Sequence, residues 1–165
     1  MIKSIVEKIR NGWSNPKYGF HHGRTTPFKM KCFFEESKMN LGNEFAFIIP
    51  NDLRDFWINY NSAILFQDIE FGQWGLHIFS PFDALNTTIK EKKSRPNDFS
   101  ENDLVIGEFL GDSDLLVISC DTQNKYGQIK IALPIDPNGE WYTAANSFSE
   151  FIDKYSQVDG AKYWE

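Results

Sequence analysis

The sequence predicts an α+β fold in which N-terminal helices and a closing C-terminal helix flank a mainly antiparallel, twisted sheet. Three observations predict it. Apolar residues recur at helical spacing near both ends of the chain and again before its middle. Between residues 64 and 143 the period shortens, and six β-rich runs alternate with turn residues. The chain has 165 residues, 41% of them hydrophobic and 16% aromatic, which is the usual size of one domain and enough for one sizeable core. A single domain over residues 1–165 is therefore expected.

Ile2, Ile5, Val6 and Ile9 repeat at helical spacing, so residues 2–11 read as a short amphipathic helix with Gly12 as its C-cap. Residues 13–26 are rich in Gly, Pro, Asn and His and read as a loop. Thr26 before Pro27 reads as a second helix start, with Met30, Phe33, Phe34 and Leu41 as its apolar stripe and residues 40–43 as its end. After a short apolar lead over 45–49 comes the clearest helix. Pro50 stands at its first turn, Asn51 and Asp52 favour the amino-terminal dipole, and Leu53, Phe56, Trp57 and Tyr60 form one stripe. Burying each such side chain stabilises by about 1.5–3 kcal/mol, so this helix should anchor the core.

The β-rich runs are 65–71, 74–79, 104–110, 115–120, 128–133 and 141–143. Gly111-Asp112-Ser113 reads as a tight hairpin, and Asp136-Pro137-Asn138-Gly139 as a type I turn with a bulge. Residues 86–102 are polar, with Lys90, Lys92, Lys93 and Arg95 close together, and read as a surface excursion with room for one helical turn. Ser147 and Glu150 form a capping box, and Phe148, Phe151, Ile152 and Tyr155 complete the closing helix.

Charge is unevenly spread. The net is −6, yet residues 1–31 hold seven Lys/Arg against one acid. Residues 97–124 hold no Lys or Arg but include Asp98, Glu101, Asp103, Glu108, Asp112, Asp114 and Asp121. An acidic surface repels nucleic acid and membrane phosphates and favours cationic partners; solubility alone would account for it equally well. Cys32 and Cys120 lie 88 positions apart among apolar neighbours, which reads as buried free thiols and a reducing compartment. No run approaches the roughly 20 apolar residues of a membrane span, and residues 1–10 lack a signal peptide's apolar stretch. A cytoplasmic location is expected.

The stretch Ile49-Pro50-Asn51-Asp52-Leu53-Arg54-Asp55-Phe56-Trp57, running into Tyr60-Asn61, resembles the signature of the SUKH superfamily. There a helix opens with Leu-Pro, carries aromatics on one face and ends in Tyr-Asn-Gly or His-Asn-Gly. Gln73-Trp74-Gly75-Leu76 with Ile78-Phe79 is similar to the family's first core hairpin. Ile106-Gly107 with Gly111-Asp112-Ser113 resembles its central strand and turn, and Ser147-Phe148 with Glu150-Phe151 its closing helix. Gly160-Ala161-Lys162-Tyr163-Trp164 resembles a tail of some bacterial members. The resemblance covers about residues 28–165. Ile49 stands where Leu is usual, Ser62-Ala63 replaces the Gly after Asn61, and Leu41-Gly42 lies farther upstream of Pro50 than is typical. The resemblance implies protein binding, as in a fungal regulator that coordinates cell-wall assembly with signalling and in bacterial immunity proteins that neutralise secreted, often nuclease, toxins. It implies no metal, cofactor or catalytic residue.

The residues themselves point the same way. His21-His22 are adjacent and so point apart, and His77 lies mid-strand; a metal site would need a third ligand. Asp112-Ser113-Asp114 lacks the Gly and terminal Glu of a calcium loop and reads as a turn held by Asp side chains. There is no Gly-x-Ser-x-Gly elbow and no glycine-rich phosphate cradle. Of Trp13, Trp74, Trp141 and Trp164, two are expected in the core. Tyr163 and Trp164 are expected to tuck onto the sheet, with exposed binding anchors as the competing reading. The function expected is a non-enzymatic immunity protein that binds a cationic toxin domain, with a regulatory scaffold as the alternative. Glu108, Asp112, Asp114, Trp13 and Trp164 are the expected partner-binding residues. No cofactor, nucleic acid or membrane is expected, and the oligomeric state stays open.

Overall fold

The computed structural model describes residues 1–37, 41, 45 and 47–165. One antiparallel sheet has strands ordered as in the sequence: β1 (Lys17–His21), β2 (Arg24–Glu36), β3 (Tyr60–Asp68), β4 (Leu76–Ile78), β5 (Asp103–Phe109), β6 (Leu115–Ser119), β7 (Ile129–Ala132) and β8 (Tyr142–Ala145). The helices are α1 (Ile2–Gly12), α2 (Asn51–Asn59), α3 (Pro81–Ser94) and α4 (Phe148–Gln157). The α+β reading holds. Helices α1, α2 and α4 pack on one another, and they meet the sheet at β2, β3 and β8. The core lies between these helices and the sheet.

Helix α1 buries Ile2, Val6 and Ile9, three of the four residues that marked it. Helix α2 buries Leu53, Phe56 and Trp57. Tyr60, expected on the same stripe, is instead the first residue of β3 and still buried. Asp52 joins α2 to α4: one carboxylate oxygen accepts from Leu53 N at 2.9 Å, the other from Ser149 N at 2.7 Å. The closing helix starts as expected, with Ser147 Oγ accepting from Glu150 N at 3.1 Å.

Two expectations are corrected. The helix expected from Thr26-Pro27 is strand β2, and the preceding loop contains β1. Thr26, Met30 and Cys32 are buried while Arg24, Thr25, Pro27 and Lys29 are exposed, which is a period of two. Neighbouring strands on both sides outweigh the weak local helix signal. Pro27 is tolerated because pairing with β3 begins only at Met30 and the β1 ladder shifts register between Tyr18 and Phe20, opposite it. The β1–β2 connection is the two-residue turn His22-Gly23, with φ of 49° and 80°, the left-handed pair that suits a tight hairpin. The expected helix end at 40–43 includes Asn40, Gly42 and Asn43, which lie outside the described residues.

The second correction concerns residues 86–102. Most of the expected surface excursion belongs to α3, a 14-residue helix. Ser80 caps it, accepting from Asp83 N at 3.1 Å, and Pro81 opens it. The helix is placed by β5. Strand β4 is three residues long and leaves the first half of β5 without a ladder partner on that side. Thr88 Oγ1 takes the partner's place, accepting from Val105 N at 2.8 Å and donating to Ala84 O at 2.7 Å. Arg95 pins the helix end to the β7–β8 connection through Leu133 O at 3.0 Å and Asp136 O at 2.6 Å.

The segment after α4 ties the molecule together. Asp159 Oδ2 accepts from Phe20 N on β1 at 2.9 Å, and His21 Nε2 donates to Asp159 O at 2.8 Å. Trp74 Nε1 donates to Gly160 O at 3.1 Å, and Tyr163 OH donates to Ala144 O on β8 at 2.9 Å. One short segment thus engages both edge strands, whose unpaired backbone groups would otherwise invite further pairing. Gly160 (φ 80°) must be glycine: a Cβ there would stand 2.6 Å from the Phe66 ring.

Candidate functional site: the open face of the sheet

Residues directly opposite in an antiparallel ladder share a face. The register therefore defines two rows. Ala63, Ile78, Gly107, Leu116 and Ile131 form the inner row, and its four side-chain-bearing members are buried. Phe33, Ile64, His77, Glu108 and Leu115 form the row on the opposite face, each partly exposed. Phe33, Ile64 and His77 line a shallow depression of about 220 Å³. His77 Nδ1 stands 3.9 Å from Glu108 Oε1, an ion pair whenever the imidazole is protonated. Toward the β1 edge the exposed rings Tyr18 and Phe20 extend this surface, with Lys29 and Lys31 beside them.

Of the five expected partner-binding residues, Glu108 alone lies on this row. Asp112 and Asp114 clasp the ammonium of Lys162, Asp114 at 2.9 Å. Asp114 is only 6% exposed, and Lys162 is buried with it. Burial pulls the Lys162 pKa down, but the hydrogen bonds of Asp112 and Asp114 outweigh it, so the net shift is upward. Asp112 Oδ1 also accepts from Asp114 N at 3.2 Å, so the turn is held by Asp side chains as expected.

Trp13, expected as an exposed anchor, is 8% exposed; its ring meets Phe66 edge-on at 5.0 Å. The end of α1 folds this large apolar ring into the core because leaving it in water would cost more. Trp164 lies half-buried against Phe109, Phe151 and Tyr155, which agrees with the tucked tail rather than a free anchor. Trp13 and Trp141 are the two further core tryptophans. The surface residues Tyr18, Phe20, Lys29, Lys31 and Phe33 escaped the sequence reading. Reading 24–36 at period two would have placed Lys29, Lys31 and Phe33 on one face.

Residues 40–154 match the sequence profile of the SMI1/KNR4 family (SUKH-1). The chain belongs to this family. No curated protein and no solved structure matches it. The SUKH-1 match opens ahead of α2 and closes within α4, so α1, β1, β2 and the segment after α4 lie outside it.

Within the SUKH-1 span a polar cleft of about 160 Å³ opens at the other end of the sheet, lined by Asp103, Ser119, Asp121, Lys125 and Lys130 among others. Asp103 is spent on the loop before β5, accepting from Ser100 N at 2.8 Å and Ser100 Oγ at 2.9 Å. Lys130 donates to Asn138 Oδ1 at 3.2 Å. Among the described residues, no group of three or more His, Cys, Asp or Glu could hold a metal ion. Cys32 and Cys120 are free and buried, and burial pushes each thiol up to about 12, far from thiolate reactivity at neutral pH. No described helix is long and apolar enough to cross a membrane.

Proposed function

We propose that this SUKH-1 protein acts in the cytoplasm by binding another protein, without chemistry of its own, and that the partner is a toxin domain which it neutralises. The observation that carries the reading is the row Phe33, Ile64, His77, Glu108 and Leu115, partly exposed on a sheet whose opposite face is filled by helices. A surface held by five paired strands loses little conformational freedom on contact, so more of its interaction energy appears as affinity. Buried free thiols suit the reducing interior of a cell.

The test is co-expression with any toxin domain encoded beside it. Growth should be restored, and the two proteins should co-purify as a stoichiometric complex. Toxicity that persists with no complex would sink the immunity reading, and a complex with a signalling or cell-wall enzyme would favour a regulatory scaffold. Reproducible turnover of nucleic acid, ester or glycoside that vanishes with one carboxylate substitution in the Asp103–Asp121 cleft would overturn the non-enzymatic reading.

A further inference from the structure

The β1–β2 hairpin carries a local charge opposite to that of the whole chain. From Lys8 through Phe34 there is no acidic residue, while the net charge of the protein is −6. Lys29, Lys31 and Phe33 alternate along the outer face of β2, and Tyr18 stands opposite Lys29. Tyr18, Phe20 and Phe33 are 52%, 57% and 41% exposed. Lys29 Nζ lies 5.6 Å from the Tyr18 ring centroid, and Lys31 Nζ lies 4.9 Å from that of Phe33. No carboxylate among the described residues pairs with Arg24, Lys29 or Lys31. Three acids of the 97–124 segment contrast with this: Asp98 is held by Arg95, and Asp112 and Asp114 by Lys162.

Exposed rings next to unpaired cations are the composition from which interface anchors are made. We propose that the outer face of the β1–β2 hairpin, continued by Ile64 on β3, docks an acidic segment of a protein partner. Tyr18, Phe20 and Phe33 seat its apolar side chains, and Lys29 and Lys31 meet its carboxylates. The inference rests on the protein-binding reading and names the partner's chemistry at the surface on which it docks. The overall negative charge works against long polyanions and anionic bilayers, whose fields act over a wide surface. A short acidic segment reads only the charges within a Debye length of about 8 Å. Because Asp159 already holds the Phe20 N–H of the β1 edge, the partner lies across the face instead of adding a strand.

The experiment selects short random peptides by display against the full chain. The recovered peptides are then titrated against the wild type and against the Lys29→Glu/Lys31→Glu and Phe33→Ala variants. The lysines project from the outer face, so the charge-reversed variant should melt as the wild type does. The expected peptides are rich in Asp and Glu around a large apolar residue. They should bind the charge-reversed variant roughly tenfold more weakly, and lose affinity as salt rises. Amide shifts on binding should centre on Tyr18, Lys29, Lys31, Phe33 and Ile64. Neutral or basic peptides, or acidic ones that bind both forms equally, would overturn the inference; so would recovery of none. If the toxin domain still binds the charge-reversed variant with unchanged affinity, this surface fails while the binding function stands. A single-stranded oligonucleotide, a phosphatidylserine vesicle or a second copy of the chain binding with the same lysine dependence, in place of peptides, would overturn it in favour of that partner.

Discussion

Trp57 combines two kinds of support in one side chain. Its ring stacks on Phe45 with centroids 5.6 Å apart and planes 4° from parallel, and its Nε1 donates to Phe79 O at 2.9 Å. Trp57→Ala should cost roughly 3–5 kcal/mol, as large aromatic truncations in cores do. Trp57→Phe keeps the stack but strands a buried carbonyl, so it should cost about 1–3 kcal/mol. Urea unfolding of both variants checks the ordering; equal midpoints for wild type and Trp57→Ala would contradict the core placement. Buried titratable groups make a second residue-scale expectation. Burial raises Cys32 and Cys120 from 9.0 to about 12 and raises Tyr155 well above its ordinary value, while Lys162 is raised by its carboxylates against the pull of burial. Each holds its proton more tightly folded than unfolded, so on raising the pH the unfolded chain releases protons first. Stability should be unaffected up to about pH 9 and fall from there through about 12. A urea midpoint that holds level through that window would show that these groups are not buried as described.

At the scale of elements, α3 is the informative case. Its threonine replaces a missing strand: Thr88 Oγ1 is the acceptor that Val105 N would otherwise lack. Thr88→Val keeps the shape and removes the acceptor, so the cost should be about 1–3 kcal/mol for a stranded buried N–H. Hydrogen exchange at the Val105 amide should accelerate with it; exchange as slow as in the wild type would mean that another acceptor serves. Its start, Ser80-Pro81 with Asp83, went unread because it adjoins a run that reads as strand. Strand β2 failed the opposite way, since Met30, Phe33 and Phe34 happen to sit at helical spacing although the residues between them alternate in and out. Local pattern is ambiguous when a segment's neighbours on both sides are strands far away in sequence.

At the scale of the whole molecule, the segment from Asp159 to Trp164 acts as a clasp. It reaches β1 through Asp159, the β5–β6 turn through Lys162 and β8 through Tyr163. Lys162→Met should destabilise by roughly 3–5 kcal/mol, because it leaves the buried Asp114 carboxylate without its cation. Adding Asp114→Leu should recover much of that loss, since a well-packed apolar pair can replace a buried ion pair. A double-mutant cycle in urea measures the coupling; additive effects would mean that Lys162 and Asp114 act independently. The proposed complex with a toxin domain offers a further whole-molecule check. Tyr18→Ala and Phe33→Ala should weaken it while leaving the melting curve close to wild type, whereas unchanged affinity would place the contact elsewhere.

What the sequence determined by itself is whatever depends on short range. The α2 stripe of Leu53, Phe56 and Trp57, the Ser147 cap, the Asp112 turn and the five strands after residue 70 rest on local periodicity, capping and turn chemistry, and each lies close to where the pattern puts it. The family, too, was legible in an ordered set of short motifs. Only the tertiary structure decided which charges are free. Asp112 and Asp114 look like surface acids until Lys162, 48 positions beyond Asp114, folds back between them. Lys29 and Lys31 look like the polar side of a helix until pairing on both sides turns them onto an open sheet face beside Phe33. The reason is physical: an ion pair or a ladder bond joins residues by distance in space, and the energy that decides between exposure and burial belongs to the pair.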